Sequence, residues 1–270
     1  HLTYVVIGAL FLYLSPRIFA ESFYNYKDIL FMSLFIIALY YGIKFLKYPT
    51  TKNAIIFAFT SALSIDVRIM GIILVPIIIF FIFQRHKINK NVNLIKSVLI
   101  FISFLFVFIY LFWPYLWQNP INNFLQIFVN LSSFNWEGYN LYLGKYVLST
   151  NIPSHYHIVW IGITTPVVYS ILFVIGVSSI LYGLWRKQTL LLENEEERFG
   201  LLVLVLFFGP VIAVISVGSM LIDGWRHMYF CYPAFLFVGI TGFEYLRKTI
   251  PSNIGESKWR ATKSVALLVL

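Results

Sequence analysis

The chain is 270 residues long, 60% hydrophobic, 19% aromatic and only 11% charged, more apolar than an ordinary globular domain. Its formal charge of +9 is read as orientation by basic cytoplasmic loops, which excludes nucleic acid as the expected partner. One cysteine, Cys231, excludes an internal disulfide framework.

Apolar runs occur at residues 2–14, 29–45, 53–83, 98–113, 166–185, 201–221 and 229–245. Backbone in lipid must bond to itself, so helices are expected, each needing about 20 residues to span. The expectation is an all-α fold, a polytopic transmembrane helical bundle forming a single domain over 1–270. Because the chain begins at His1 and its last apolar run stops short, that domain is expected to be truncated at both ends. Pro16 ends the first helix, and Asp28 is placed to cap the second. Lys44, Lys47 and Lys52 follow the second run, and Arg85, Lys87, Lys90 and Lys96 form a later link. Arg186 and Lys187 close the run at 166–185, while Arg247, Lys248, Lys258 and Arg260 follow the last long run. All four groups belong on the cytoplasmic side.

That orientation decides the run at 53–83, which Asp66 and Arg68 interrupt. A single helix would carry Arg85 and Lys87 to the wrong face, so a hairpin is expected. Its arms would hold roughly a dozen to fifteen residues, short of a full span, with the turn at 66–71 in a recess open to the outer side. Gly71 and Pro76 suit such a turn. Residues 114–165 form a long, aromatic-rich exoplasmic loop, expected at headgroup level with a short interfacial helix at 122–131. Asn130-Leu131-Ser132 matches a glycosylation sequon. The acidic stretch 193–197 reads as a solvated loop. There is no internal repeat, Walker motif, metal-spaced Cys/His cluster or nucleophile elbow.

Three outer links carry the ionisable groups: Arg17, Glu21, Lys27 and Asp28; then Asp66 and Arg68; then Asp223, Arg226 and His227. Simpler structural roles exist for several of them. Asp28 could be only a cap, Asp66 and Arg68 a self-neutralising pair, and Trp225 and Tyr229 belt residues. His155 and His157 are expected to face solvent and to bind no metal. Charges at membrane depth are costly and by default mark a site, and guanidinium grips phosphate bidentately. Arg17, Lys27, Arg68, Arg226 and His227 are therefore expected to bind a donor phosphate. Glu21, Asp28, Asp66 and Asp223 are expected to meet a sugar or acceptor.

The stretches SPRIFAESFYNYKD, SALSIDVRIMGI, FWPYLWQNPINNF, NIPSHYHIVWIGITTP and DGWRHMYFCYPAF, in that order, resemble the GT-C integral-membrane glycosyltransferases. The resemblance is to the branch of dolichyl-phosphate-mannose protein mannosyltransferases and bacterial phospholipid-carrier-dependent transferases. It implies an inverting transfer of sugar from a polyprenyl- or dolichyl-phosphate donor to a protein, lipid or glycan acceptor on the exoplasmic or lumenal face. In relatives the acidic motif thought to supply the base lies between the first two helices. This chain is expected to start near the third, so the catalytic base is unknown, Glu21 and Asp28 are candidates to assist it, and the fragment alone is expected to be inactive. No cofactor is required, though a divalent cation is compatible. The bacterial plasma membrane is the expected location, with the endoplasmic reticulum membrane as the alternative. A transporter or flippase of a lipid-linked or anionic substrate is the competing reading.

Overall fold

The structure, a computed structural model, describes residues 2–88, 94–132, 138–187, 195–217 and 223–253. Apolar sequence between polar links produces helices α1 (Leu2–Tyr13), α2 (Pro16–Glu21), α3 (Tyr26–Lys47), α4 (Thr51–Val67), α5 (Leu74–Ile88) and α6 (Leu94–Phe112). The amphipathic α7 (Pro120–Ser132), strands β1 (Tyr139–Tyr142) and β2 (Lys145–Leu148) and helix α8 (Tyr156–Thr164) follow. Then come α9 (Val167–Lys187), α10 (Glu195–Val217) and α11 (Tyr232–Asn253). Among the described residues four helices are long and apolar enough to cross a membrane: Tyr26–Lys47, Leu94–Phe112, Val167–Arg186 and Glu195–Ser216.

Two packing groups make the bundle. Phe45 of α3, Phe57 of α4 and Phe101 of α6 form one ring cluster, with Phe57 and Phe101 stacked at 4.6 Å. Phe173 of α9, Phe207 of α10 and Phe235 of α11 form the other, with Phe173 and Phe235 stacked at 4.2 Å. Phe230 joins them by packing on Phe31 and Phe35 of α3. Each such ring pair contributes about 0.5–1.5 kcal/mol beyond its buried area. The α9/α11 contact is the tightest, because a Cβ at Gly176 would strike the Val238 carbonyl and one at Gly242 the Leu172 carbonyl.

The chain doubles back after α4. The Arg85 guanidinium, near the end of α5, donates to the Leu46 carbonyl at 2.7 Å, near the end of α3. Helix α4 starts beside that same end, so α4 and α5 run in opposite directions. Glu195 at the start of α10 draws Lys47 (3.3 Å) and Arg85 (3.2 Å) to it, and Ser97 of α6 donates to the Pro49 carbonyl at 2.7 Å. The ends bearing Lys47, Arg85 and Lys96 thus share one basic end of the bundle. The turn itself is a 3-10 segment, Ile69–Ile73. There Gly71 is required by close approach: a Cβ would lie 2.8 Å from Ser64 Oγ and 2.9 Å from the Ser64 carbonyl carbon.

The hairpin's arms are longer than the sequence suggested. Helix α4 has 17 residues, about 25 Å at 1.5 Å per residue, and the 5-residue 3-10 segment plus the 15 residues of α5 form the return. Arg68 therefore reaches the first turn of α3, and the turn sits at the end of the bundle, not part-way down a recess. Glu195, Glu196 and Glu197 belong to the first turn of α10, not to a solvated loop, as acids at a positive helix end should; residues 193 and 194 lie outside the described residues.

Within residues 114–165 the amphipathic helix spans Pro120–Ser132, and a two-stranded antiparallel hairpin adds to the helical bundle. Its two-residue turn has φ of 49° at Leu143 and 77° at Gly144, the hand that matches strand twist. Tyr142 and Tyr156 are buried, whereas Tyr115, Trp117, Tyr139 and Tyr146 are exposed, so this segment has a packed interior of its own. Glu137, Lys90, Lys258 and Arg260 lie outside the described residues, and Asn130 of the sequon accepts a hydrogen bond from Gln126.

Candidate functional site

The site lies at the end of the bundle opposite the basic loops. It begins with a helix cap. Asn25 is the N-cap of α3, and its Oδ1 accepts from the Asp28 backbone N–H at 3.3 Å. Asp28 is therefore the third helical residue and not the cap itself. With Oδ1 so committed, Nδ2 points the other way and donates to Glu21 Oε2 at 2.7 Å and to Asp28 Oδ2 at 2.8 Å. One amide thus ties two carboxylates that are 0% and 3% exposed.

Each carboxylate aims an arginine. Glu21 pairs with Arg17 at 2.8 Å, one helical turn earlier on α2. Asp28 pairs with Arg68. Arg68 meets Asp28 and not Asp66 because it leaves α4 in an extended conformation, φ −148° and ψ 127°, while Asp66 stays in the helix. The simpler alternative of a self-neutralising Asp66/Arg68 pair does not form, and Asp66 makes no ion pair among the described residues. Lys27 is exposed and stands outside the network, so it is not gathered with the arginines.

The third link closes the arrangement. Arg17 Nε donates to the Tyr229 hydroxyl at 2.7 Å, and Asp223 lies 3.6 Å from Arg17 and 3.5 Å from Arg226. Asp223 (φ 59°) and Gly224 (φ 71°) form a left-handed turn. The turn is fastened by its own N–H groups, Asp223 to Asn140 Oδ1 at 3.0 Å and Gly224 to the Tyr156 hydroxyl at 3.1 Å. Trp225 is 2% exposed and donates to Thr164 at 2.9 Å, and Tyr229 is 1% exposed, so neither is a belt residue.

Arg17, Arg68 and Arg226 keep 23%, 21% and 32% of their side chains exposed, and the buried Nε groups of Arg68 and Arg226 have no hydrogen-bond partner among the described residues. Partly exposed guanidinium groups held by carboxylates form a seat suited to a phosphate. His227 lies among both halves: burial pushes its imidazole down to about 4, Arg68 and Arg226 push the same way, and Asp28 and Asp223 oppose them. It is a neutral donor and acceptor at neutral pH. Burial likewise raises the Tyr229 phenol, against the Arg17 hydrogen bond. No group of three His, Cys, Asp or Glu residues that could hold a metal occurs among the described residues.

Sequence reasoning missed Asn25, which is uncharged; the spacing Asn25-x-x-Asp28, a cap with an acid three residues on, was the available signal. His155 is exposed as expected, but His157 is 3% exposed with neither ring nitrogen bonded, and burial takes it down to about 4. An apolar cavity of about 300 Å³ between α1, α3 and α11 is lined by residues including Gly8, Leu12, Ile36 and Pro233. Close by in sequence, the Ser15 and Tyr232 hydroxyls are hydrogen-bonded at 2.7 Å. No known family profile, curated protein or solved structure matches the chain.

Proposed function

We propose that the chain is a multi-pass membrane protein whose arginine-bearing end faces the exoplasm or lumen and receives the phosphate of a polyprenyl- or dolichyl-phosphate sugar. In this reading it is a glycosyltransferase of the GT-C kind. The observation that carries it is the meeting of Arg17, Arg68 and Arg226, from three separate links, in one hydrogen-bonded network. Transfer with inversion develops negative charge on the leaving phosphate, and fixed guanidinium donors stabilise that charge as it forms. His227, neutral and half-buried, adds a donor without a second competing cation. The apolar cavity between α1, α3 and α11 suits a lipid chain by its lining.

Glu21 and Asp28 are saturated by an arginine and Asn25. Buried and already paired, they serve better as positioning residues than as the base that deprotonates an acceptor. The transporter reading draws on broken helices with charges near the bilayer midplane. Here the break after α4 lies at the end of the bundle, which favours the enzyme.

The test is sugar transfer from a polyprenyl-phosphate donor by the full-length protein, with Arg68→Lys, Arg68→Ala and Asp28→Asn variants. Loss of a preorganised donor to developing charge costs about 100- to 1,000-fold in turnover. Lysine keeps the charge but not the fork, so its intermediate activity is expected. Movement of the lipid across the bilayer with no glycosidic cleavage would instead select the transporter.

A further inference from the structure

We propose that the Asp223 carboxylate is a tethered competitor for the anion seat: it holds the place between Arg17 and Arg226 that a phosphate takes, and swings out when the ligand arrives. This rests on the phosphate-site reading above and replaces the sugar or acceptor contact expected for Asp223 from the sequence.

The charge count motivates it. Three guanidinium groups face three carboxylates, so the network as it stands has no net attraction for an anion. Two of those carboxylates cannot leave. Glu21 and Asp28 are buried and tied to each other through Asn25. Asp223 differs in every respect: its side chain is 53% exposed, and it bridges Arg17 and Arg226 at 3.6 and 3.5 Å, well beyond the ~2.7–2.9 Å of a strong charge-assisted hydrogen bond. Exposed pairs of this kind are weak.

The backbone is built for such an exchange. Both N–H groups of the turn are fastened, to Asn140 and Tyr156, so the peptide stays in place while only the side-chain torsions change. Release of Asp223 leaves three guanidinium groups against two carboxylates. That excess of one positive charge suits a phosphate ester with one to two negative charges. The tether also selects for charge, since an uncharged lipid alcohol cannot displace it.

The experiment measures binding of farnesyl phosphate, with farnesol as the uncharged control, to the detergent-purified chain and to Asp223→Asn and Asp223→Gly. Both substitutions tolerate the left-handed backbone, and unchanged thermal unfolding confirms that the turn survives. Removing a competing carboxylate at these distances is expected to tighten farnesyl phosphate binding about 3- to 10-fold, with farnesol unaffected. Wild-type binding that is unchanged or weakened in both variants overturns the tethered competitor and leaves the phosphate site standing. Failure of every form to bind farnesyl phosphate more tightly than farnesol overturns both.

Discussion

Asn25 offers the sharpest test of how the arginines are aimed. Its amide carries two donor hydrogens, and they go to Glu21 and Asp28 at 2.7 and 2.8 Å while the oxygen caps α3. A flipped amide would set an oxygen against two carboxylates, so this orientation is chemically required. Asn25→Ser keeps a cap oxygen and replaces the two amide N–H donors by one hydroxyl on a shorter side chain, out of reach of both carboxylates at once. Asn25→Asp keeps the cap, removes both donors and adds a third carboxylate. A hydrogen bond to a charged group contributes about 1.5–3 kcal/mol. Two of them set a loss near 3 kcal/mol for the serine variant, at the low end because water reaches the partly exposed position. In the aspartate variant, repulsion at ~3 Å with an effective dielectric near 20 adds up to about 5 kcal/mol per pair, until the new carboxyl takes up a proton. Its folded-state pKa is raised by its neighbours, so the destabilisation is full at neutral pH and is relieved as pH falls through that raised value. Thermal unfolding in detergent should rank wild type above serine above aspartate at neutral pH, with the last gap closing on acidification. An aspartate variant as stable as wild type at neutral pH would refute the bridging role.

Other outcomes follow from the same geometry. Gly71→Ala forces a Cβ to within 2.9 Å of backbone at Ser64 and should cost about 1–3 kcal/mol. Gly144→Ala meets no atom within 4 Å and only the strain of φ 77°, about 1–2 kcal/mol; a Gly71→Ala protein that unfolds like wild type would speak against the tight turn. Burial lowers His157 to about 4 from 6.5. The unfolded chain therefore binds the proton first, and stability present above pH ~6.5 is lost as pH falls toward 4, by about 3 kcal/mol. His157→Gln should flatten that slope in detergent unfolding curves, and an unchanged slope would remove His157 as its source. Thiols placed at Thr50 and Ile88 should react with an impermeant reagent from the same face of the membrane. Cys231 is buried and adds little background, and labelling from opposite faces would refute the paired arms.

Legibility in the sequence tracked the energy scale of each feature. Arg17, Arg68 and Arg226 stood out because a guanidinium amid apolar residues is costly and rarely idle. The reversal after α4 was legible because Lys47 and Arg85 had to share a face. Partner choice was not. Arg68 and Asp66 are two residues apart, yet the helix ends between them and sends one to Asp28 while the other stays apart. Lys27 and Asp28 are adjacent, but a helix turns about 100° per residue, which buries one and exposes the other. The burial of His157 and Tyr229 depended on neighbours far away in the chain, whereas Asn25 meets Glu21 and Asp28 only four and three residues away and was overlooked because it carries no charge.

By itself, then, the order of residues determined that the long apolar segments are helical, that the chain reverses after α4, and which end collects the arginines, because hydropathy and charge act over whole segments and tolerate errors of a few residues; the short helices α2 and α8 and the β-hairpin were not legible that way. Only the tertiary structure decided that Arg68 crosses to α3 and that Asp223 lies exposed between two arginines. Such contacts depend on ångström-scale distances set by packing between α2, α3, the α4 turn and the segment before α11, and no local pattern encodes them.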